Sequence, residues 1–245
     1  MFPWTDYRLW LAAGAAAFLT GAAKSGIPGL GILSVPLMAL VLPAKISVGT
    51  LLPLLIAADL IALRLHHQHA RGRQIAALMP WVAVGMYAAY LALGRLDDAT
   101  VKPLLGALVL GMILLEGVRR QMAWDRLPHH PAFVAATGVL GGFATTMGNA
   151  AGPIMNIYLL ARGLTKEAFV GTAAWYFFIV NVVKVPLFVH RKMITRESVL
   201  FDLALLPLVG VGAWLGYGFV SRVSPRGFQW VVFGLAALAA MKLIW

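Results

Sequence analysis

Residues 145–153 read Thr145-Thr146-Met147-Gly148-Asn149-Ala150-Ala151-Gly152-Pro153, and residues 24–31 read Lys24-Ser25-Gly26-Ile27-Pro28-Gly29-Leu30-Gly31. Each interrupts a long apolar stretch, 132–163 in one case and 7–42 in the other. Gly and Pro both work against a continuous helix. In hydrocarbon, a freed backbone group cannot face lipid and must line protein or a cavity. Two such breaks predict two discontinuous helices whose free N–H ends converge on a site at mid-depth. A helix N-terminus favours anions. A plain kink, or a Gly-rich packing face, is the blander reading of either break alone.

The rest of the chain agrees with a membrane setting. Of 245 residues, 61% are hydrophobic and 12% charged, and the mean hydropathy is +0.84. Soluble domains carry about 25% charged residues. The apolar runs approach or exceed the roughly 18 residues that a spanning helix needs, and they lack the alternation of barrel strands. The formal net charge of +11 sits mostly in short loops, as expected of cytoplasmic loops rather than a nucleic-acid face. The chain has no cysteine, which removes disulfides and thiol chemistry. Its start, Met1 to Arg8, has no basic region before the apolar run, so a cleaved signal peptide is not expected.

An internal repeat organises the chain. Displaced by 122 residues, Gly26 meets Gly148, Val48-Gly49-Thr50 meets Val170-Gly171-Thr172, and Asp59 meets Asn181. Displaced by 127, Pro80, Gly85, Tyr90 and Arg95 meet Pro207, Gly212, Tyr217 and Arg222. The expected organisation is a membrane repeat at 1–118, a basic cytoplasmic linker at 119–131 and a second repeat at 132–245. Further helices are predicted near 46–65, 75–94, 101–118, 168–189, 199–221 and 226–244. Three basic segments, Arg64–Arg73, the linker and His190–Arg196, are all placed in the cytoplasm by the positive-inside rule. That requires one net crossing from each broken stretch. The fold class expected is an all-α polytopic membrane protein with eight crossings, in two parallel four-crossing halves.

Few ionisable residues lie far from the loops, and the reading singles out Lys24, Asp59 and Lys184. A charge at the bilayer centre costs about 2.5–3.5 kcal/mol on insertion scales and tends to face a cavity or a partner. Lys24, Ser25 and Gly26 in the first break, and Thr146, Gly148 and Asn149 in the second, are candidate anion contacts. Thr50 and Thr172 open the helices after the breaks and can donate or merely cap. Asn181 and Lys184 share one helix face. Asp59 can pair with a lysine or carry a proton. Asn156, Trp175 and Tyr176 are candidate cavity walls. His66, His67 and His69 do not have the spacing of a metal site, and no metal or cofactor is expected. No phosphate loop, nucleophile elbow or HExxH stands in the sequence, which argues against an enzyme.

The first break followed by Val35-Pro36-Leu37, and then Ala44 to Thr50 with its Val-Gly-Thr, resembles the sulfite exporter TauE/SafE family. The second copy, from Gly141 through Gly152-Pro153 to Val170-Gly171-Thr172, resembles the repeat of that family. The resemblance implies a multi-pass permease of the bacterial inner membrane. Its implied cargo is sulfite, a sulfonate or a related small anion, usually exported. Lys24-Ser25-Gly26-Ile27-Pro28 departs from the Gly-Phe-Gly-Gly-Gly usual there, so Lys24 owes its candidacy to charge and depth alone. Transport of a carboxylate, a membrane-embedded enzyme and a non-transporting subunit are the alternatives. The partners expected are the small anion, the bilayer and a second copy in a homodimer. Lys24→Ala is expected to lower transport more than Lys184→Ala.

Overall fold

The structure is a computed structural model that describes residues 5–25, 29–121, 130–219 and 225–245. Its described residues form ten α-helices and short 3-10 turns: α1 Tyr7–Ser25, α2 Ser34–Ala39, α3 Ala44–His66, α4 Gly72–Arg95, α5 Asp98–Gln121, α6 Pro131–Gly148, α7 Gly152–Ala161, α8 Lys166–His190, α9 Arg196–Phe219 and α10 Pro225–Ile244. Six stretches that the structure describes as helix are long and apolar enough to cross a membrane, among them Ala44–His69 and Lys166–His190.

Both apolar stretches are broken where the glycines stand. In the first, Gly29 takes a left-handed backbone, φ 96°, before the 3-10 turn Leu30–Leu33. Thr20 Oγ1 then donates to Ser34 Oγ at 3.1 Å, and Ser34 Oγ donates to the Ala16 carbonyl at 3.2 Å. Those bonds fold α2 back along α1. In the second, Asn149 is left-handed at φ 52°, a conformation Asn tolerates better than most residues. Its N–H closes on the Thr145 carbonyl, and α7 starts three residues later. Tyr158 of α7 donates its hydroxyl to the Gln74 carbonyl at the start of α4. Each broken stretch is therefore a hairpin that enters the bundle and returns to the face it came from.

Glycine contacts fix the directions of the helices. A Cβ on Gly49 would meet the Met193 carbonyl, and one on Gly171 would meet the His66 carbonyl. Residue numbers thus rise along α3 as they fall along α8, so the two run antiparallel. The Asp98 carboxylate caps the start of α3, accepting from the Ala44 and Lys45 N–H groups at 2.8 and 2.9 Å. At the other end the Arg71 N–H donates to Thr172 Oγ1 at 2.9 Å. The bundle accordingly has an Asp98 face and an Arg71 face. The segment from His190 to Arg196 lies on the first, since Arg191 Nη2 donates to the Tyr90 carbonyl near the end of α4.

Two expectations are corrected here. The broken stretches turn back, although Pro131–Gly148 by itself is long and apolar enough to cross, which leaves α3 to α5 and α8 to α10 as the helices that run from face to face rather than eight crossings. α3 and α8 start on opposite faces instead of in parallel, and Arg64–Arg73 and His190–Arg196 lie on opposite faces. The positive-inside argument failed because both faces are basic: Arg8, Lys45, Arg95 and Lys102 join Arg191–Arg196 on the Asp98 face, against Arg71, Arg73, Arg119, Arg162 and Lys166 on the other.

The densest packing is between halves. The pairs α1 with α9, α4 with α6, α5 with α10, and α3 with α8 make the most extensive contacts. In α1 and α9, Gly21 faces the Val209 carbonyl and Gly212 faces the Phe18 carbonyl. In α4 and α6, Gly85 faces the Val139 carbonyl and Gly142 the Val82 carbonyl. Small residues let backbones touch, which is how helices associate where burial from water offers no driving force. The main apolar cluster, with Leu9, Val48, Leu51, Leu93, Leu105, Met193 and Phe201, fills the half of the bundle toward the Asp98 face.

Candidate functional site

The other half is hollow. A cavity of about 480 Å³ opens at the Arg71 face between His66, Glu116 and Lys166, and narrows to Lys24, Thr145, Asn149 and Asn181. Glycines of both hairpin turns, Gly29, Gly31 and Gly152, lie on its wall with Ala150 and Pro153. α7 starts on this wall at Gly152, and the first N–H groups of a helix have no partner inside it.

Lys24 is the last turn of α1, and its Nζ lies 2.8 Å from Asp59 Oδ1. The contact is an ion pair by distance without the alignment of a hydrogen bond. The Lys24 side chain is 17% exposed and that of Asp59 is 0%. The ammonium also stands over the Phe177 ring, 3.9 Å from its centre, a cation–π contact. Asn181 Nδ2 donates to Asp59 Oδ2 at 2.6 Å. Asp59 is thus held from two sides, by α1 and by α8.

One turn along α8, the wholly buried Lys184 donates to Thr145 O, Thr145 Oγ1 and Asn149 Oδ1 at 3.1, 3.1 and 2.6 Å. The Asn149 amide in turn donates to the Val48 carbonyl of α3 at 2.9 Å. All three donors of the ammonium end on the tip of the α6–α7 hairpin. Two basic side chains, Lys24 and Lys184, and one carboxylate, Asp59, meet at this centre.

Lys24, Ser25, Asn149 and Asn181 line one end of the cavity, and the buried Asp59 and Lys184 stand behind them, bonded to Asn181 and to Asn149. Gly26 lies outside the described residues. Four further candidates are not on the wall. Thr50 is buried with an unpartnered hydroxyl, Thr146 likewise, Gly148 packs against Leu105 and Leu108, and Thr172 accepts the Arg71 N–H. Ser25 reaches the cavity, although its hydroxyl turns back to the Gly21 carbonyl at 2.8 Å. Asn156 is on the wall, and the α8 aromatics there are Phe169 and Phe177, not Trp175 or Tyr176. His66 reaches the cavity mouth, so the histidine segment is not wholly a solvated loop face.

Sequence reasoning missed Thr145, Phe177, Glu116 and Asp202. Thr145 carried a signal in its place beside the second break. Glu116 is buried and takes Arg119 Nε at 2.7 Å and Arg120 Nε at 3.2 Å. Asp202 is 2% exposed in α9, and neither carboxyl oxygen has a hydrogen-bond partner.

A family model described as "Sulfite exporter TauE/SafE" matches residues 13–243, nearly the whole described fold. No curated protein and no solved structure matches the chain.

Proposed function

We propose, from the premise that this chain belongs to the sulfite exporter TauE/SafE family and is a multi-pass membrane protein, that it carries a small sulfur oxyanion, sulfite or an organosulfonate, through the centre of the bundle. The observation that carries this reading is the cavity that ends on Lys24, Asn181 and Asn149, with the Lys184 amine bonded to Asn149 behind it. An anion entering there meets the Lys24 ammonium, the amides of Asn149 and Asn181, and the free N–H groups at the start of α7. The tetrahedral or pyramidal oxygens of a sulfur oxyanion suit several donors that converge from different sides. Sulfite, sulfonate and carboxylate share that need for donors, and the flux assay distinguishes them.

The bundle as it stands is open to the Arg71 face and closed by packed side chains toward the Asp98 face. Transport in this reading alternates the two openings around Asp59 and Asn181. The repeat seen in the sequence is here two inverted copies, a reading supported by the cross-packing of α1 with α9 and of α6 with α4. With the Arg71 face in the cytoplasm of a bacterial inner membrane, the inside-negative potential drives an anion outward by about 2.3 kcal/mol per charge per 100 mV. Export then needs no coupling ion.

The test is flux of sulfite, a small sulfonate and a small carboxylate from proteoliposomes under an imposed potential. Sulfur oxyanion flux that falls in Lys24→Gln supports the reading. Flux of the carboxylate alone replaces the cargo, and flux of none of the three removes the reading.

A further inference from the structure

We infer that Lys184 is the counter-charge of the transported anion when the bundle opens to the Asp98 face, in the part that Lys24 has in the state described. The inference rests on the transport reading and concerns a state opposite to this one.

The packing is two-fold in its elements but not in its wetting. Asp59 and Asn181, 122 residues apart, touch each other. Applied to the cavity wall, the same offset pairs Ala62 with Lys184, Phe169 with Ser47 and Ala173 with Leu51. The first member of each pair lines the cavity. Lys184, Ser47 and Leu51 are 0%, 0% and 1% exposed. Lys24 pairs with Thr146, which is buried and whose hydroxyl has no partner. At the same offset, both members of the pairs Ala23 with Thr145, Gly31 with Pro153 and Leu55 with Phe177 line the cavity near its centre, whereas at Phe169/Ser47, Ala173/Leu51 and Ala62/Lys184 only the member toward the Arg71 face is on the wall. If the two halves exchange conformations, the packed set becomes the wall of a second cavity, with Lys184 on it.

Charge then assigns the role. Lys24 has Asp59 as its own carboxylate. Lys184 has only neutral acceptors, the Thr145 carbonyl and hydroxyl and the Asn149 amide oxygen. All belong to the α6–α7 tip, so withdrawal of that tip frees the Lys184 amine from all three contacts at once. A buried ammonium without acceptors is costly. A sulfonate or sulfite supplies three oxygens and the missing negative charge. In this state the tip stands in for the cargo.

The chain has no cysteine, so single substitutions report exposure. Ala62→Cys, Ser47→Cys and Lys184→Cys would be treated with a membrane-impermeant maleimide in inside-out and right-side-out vesicles. Ala62→Cys is expected to react from the Arg71 face. Ser47→Cys and Lys184→Cys are expected to react only from the Asp98 face, and a sulfonate that competes with wild-type flux should slow Ser47→Cys several-fold. Lys184→Arg, which keeps the charge, is expected to retain sulfonate flux that Lys184→Gln loses, with both variants checked for a folded, monodisperse state. Reaction of Ser47→Cys without Lys184→Cys overturns the inference and leaves the transport reading intact. So does equal sulfonate flux through folded Lys184→Gln and wild type. Failure of both cysteines to react removes the second cavity itself. Absence of any anion flux in the wild type is read separately, against the transport reading.

Discussion

Asn181 donates to Asp59 across the middle of the α3–α8 crossing, and the two residues stand 122 apart, the offset of the repeat read in the sequence. Asp59 is therefore held from two sides, by Lys24 of α1 and by Asn181 of α8. One of the pair is an acid and the other its amide, so the contact has one charge and one neutral donor. Two aspartates there would repel across 2.6 Å, and two asparagines would leave Lys24 unpaired.

Removing Lys24 alone should therefore damage folding as well as transport. Lys24→Met strands a carboxylate with 0% side-chain exposure, and breaking a buried pair from one side costs about 3–5 kcal/mol. Lys24→Met with Asp59→Asn should recover most of that loss. Thermal unfolding of the two variants in detergent checks it, and equal melting temperatures would refute the pairing as a source of stability.

The α6–α7 tip is expected to be sensitive at Asn149 for two separable reasons. Asn149→Gly keeps the left-handed backbone and loses the bonds to Lys184 and Val48, at about 1–3 kcal/mol. Asn149→Ala loses the same bonds and adds about 1–2 kcal/mol for a Cβ at φ 52°. The gap in melting temperature between the two measures the backbone contribution alone.

How much of this was legible in the sequence follows from what each signal reports. Glycine and proline mark where a helix stops, and the breaks at Gly29 and Asn149 stand inside the segments read as broken. They do not say whether the chain then proceeds or turns back; that depends on Ser34 reaching Ala16 and on Tyr158 reaching Gln74, contacts between elements. Loop charge reports the inside face only when it is one-sided, and here it is not. Asp59 was legible as a partner for a lysine because so few charges lie deep, but that the lysine is Lys24 depends on how α1 packs against α3. Lys184 and Asn149 were both visible as candidates, but their mutual bond depends on the hairpin tip. Asp202 escaped because it stands only two turns into α9, where a sequence reading assigns a carboxylate to the interface.

Asp202 is expected to be a cost to the fold. It is buried with both oxygens unpartnered, in a region otherwise packed with Phe201, Leu205 and Leu9. An unsatisfied buried polar group costs about 1–3 kcal/mol. Asp202→Leu should raise the melting temperature, with Asp202→Asn between it and the wild type. A lower melting temperature for both would mean that the carboxyl does structural work in this state.

The helix contacts between halves should divide the glycines of α1. A Cβ at Gly21 would meet the backbone of Val209 and Ala213, which cannot yield without parting α1 from α9. A Cβ at Gly14 would meet only the Leu208 side chain at 3.3 Å, and Gly→Ala favours a helix by about 1 kcal/mol. Gly21→Ala should therefore lower stability while Gly14→Ala is neutral or raises it. Similar losses in both would show that α1 and α9 tolerate no approach change anywhere along their length.

Thr50 and Thr172 occupy matching places in the two Val-Gly-Thr segments, yet their hydroxyls have different duties. Thr172 Oγ1 accepts the Arg71 N–H across the half boundary at 2.9 Å, whereas Thr50 Oγ1 is buried with no partner. Thr172→Val keeps the shape and leaves that N–H unpaired, at about 1–3 kcal/mol. Thr50→Val removes an unsatisfied group and should be neutral or stabilising. If the halves exchange roles during transport, the cost of Thr50→Val appears instead in the state open to the Asp98 face, where its hydroxyl takes up the capping duty. Thr50→Val would then slow flux without lowering the melting temperature, a split that a purely static Thr50 would not produce.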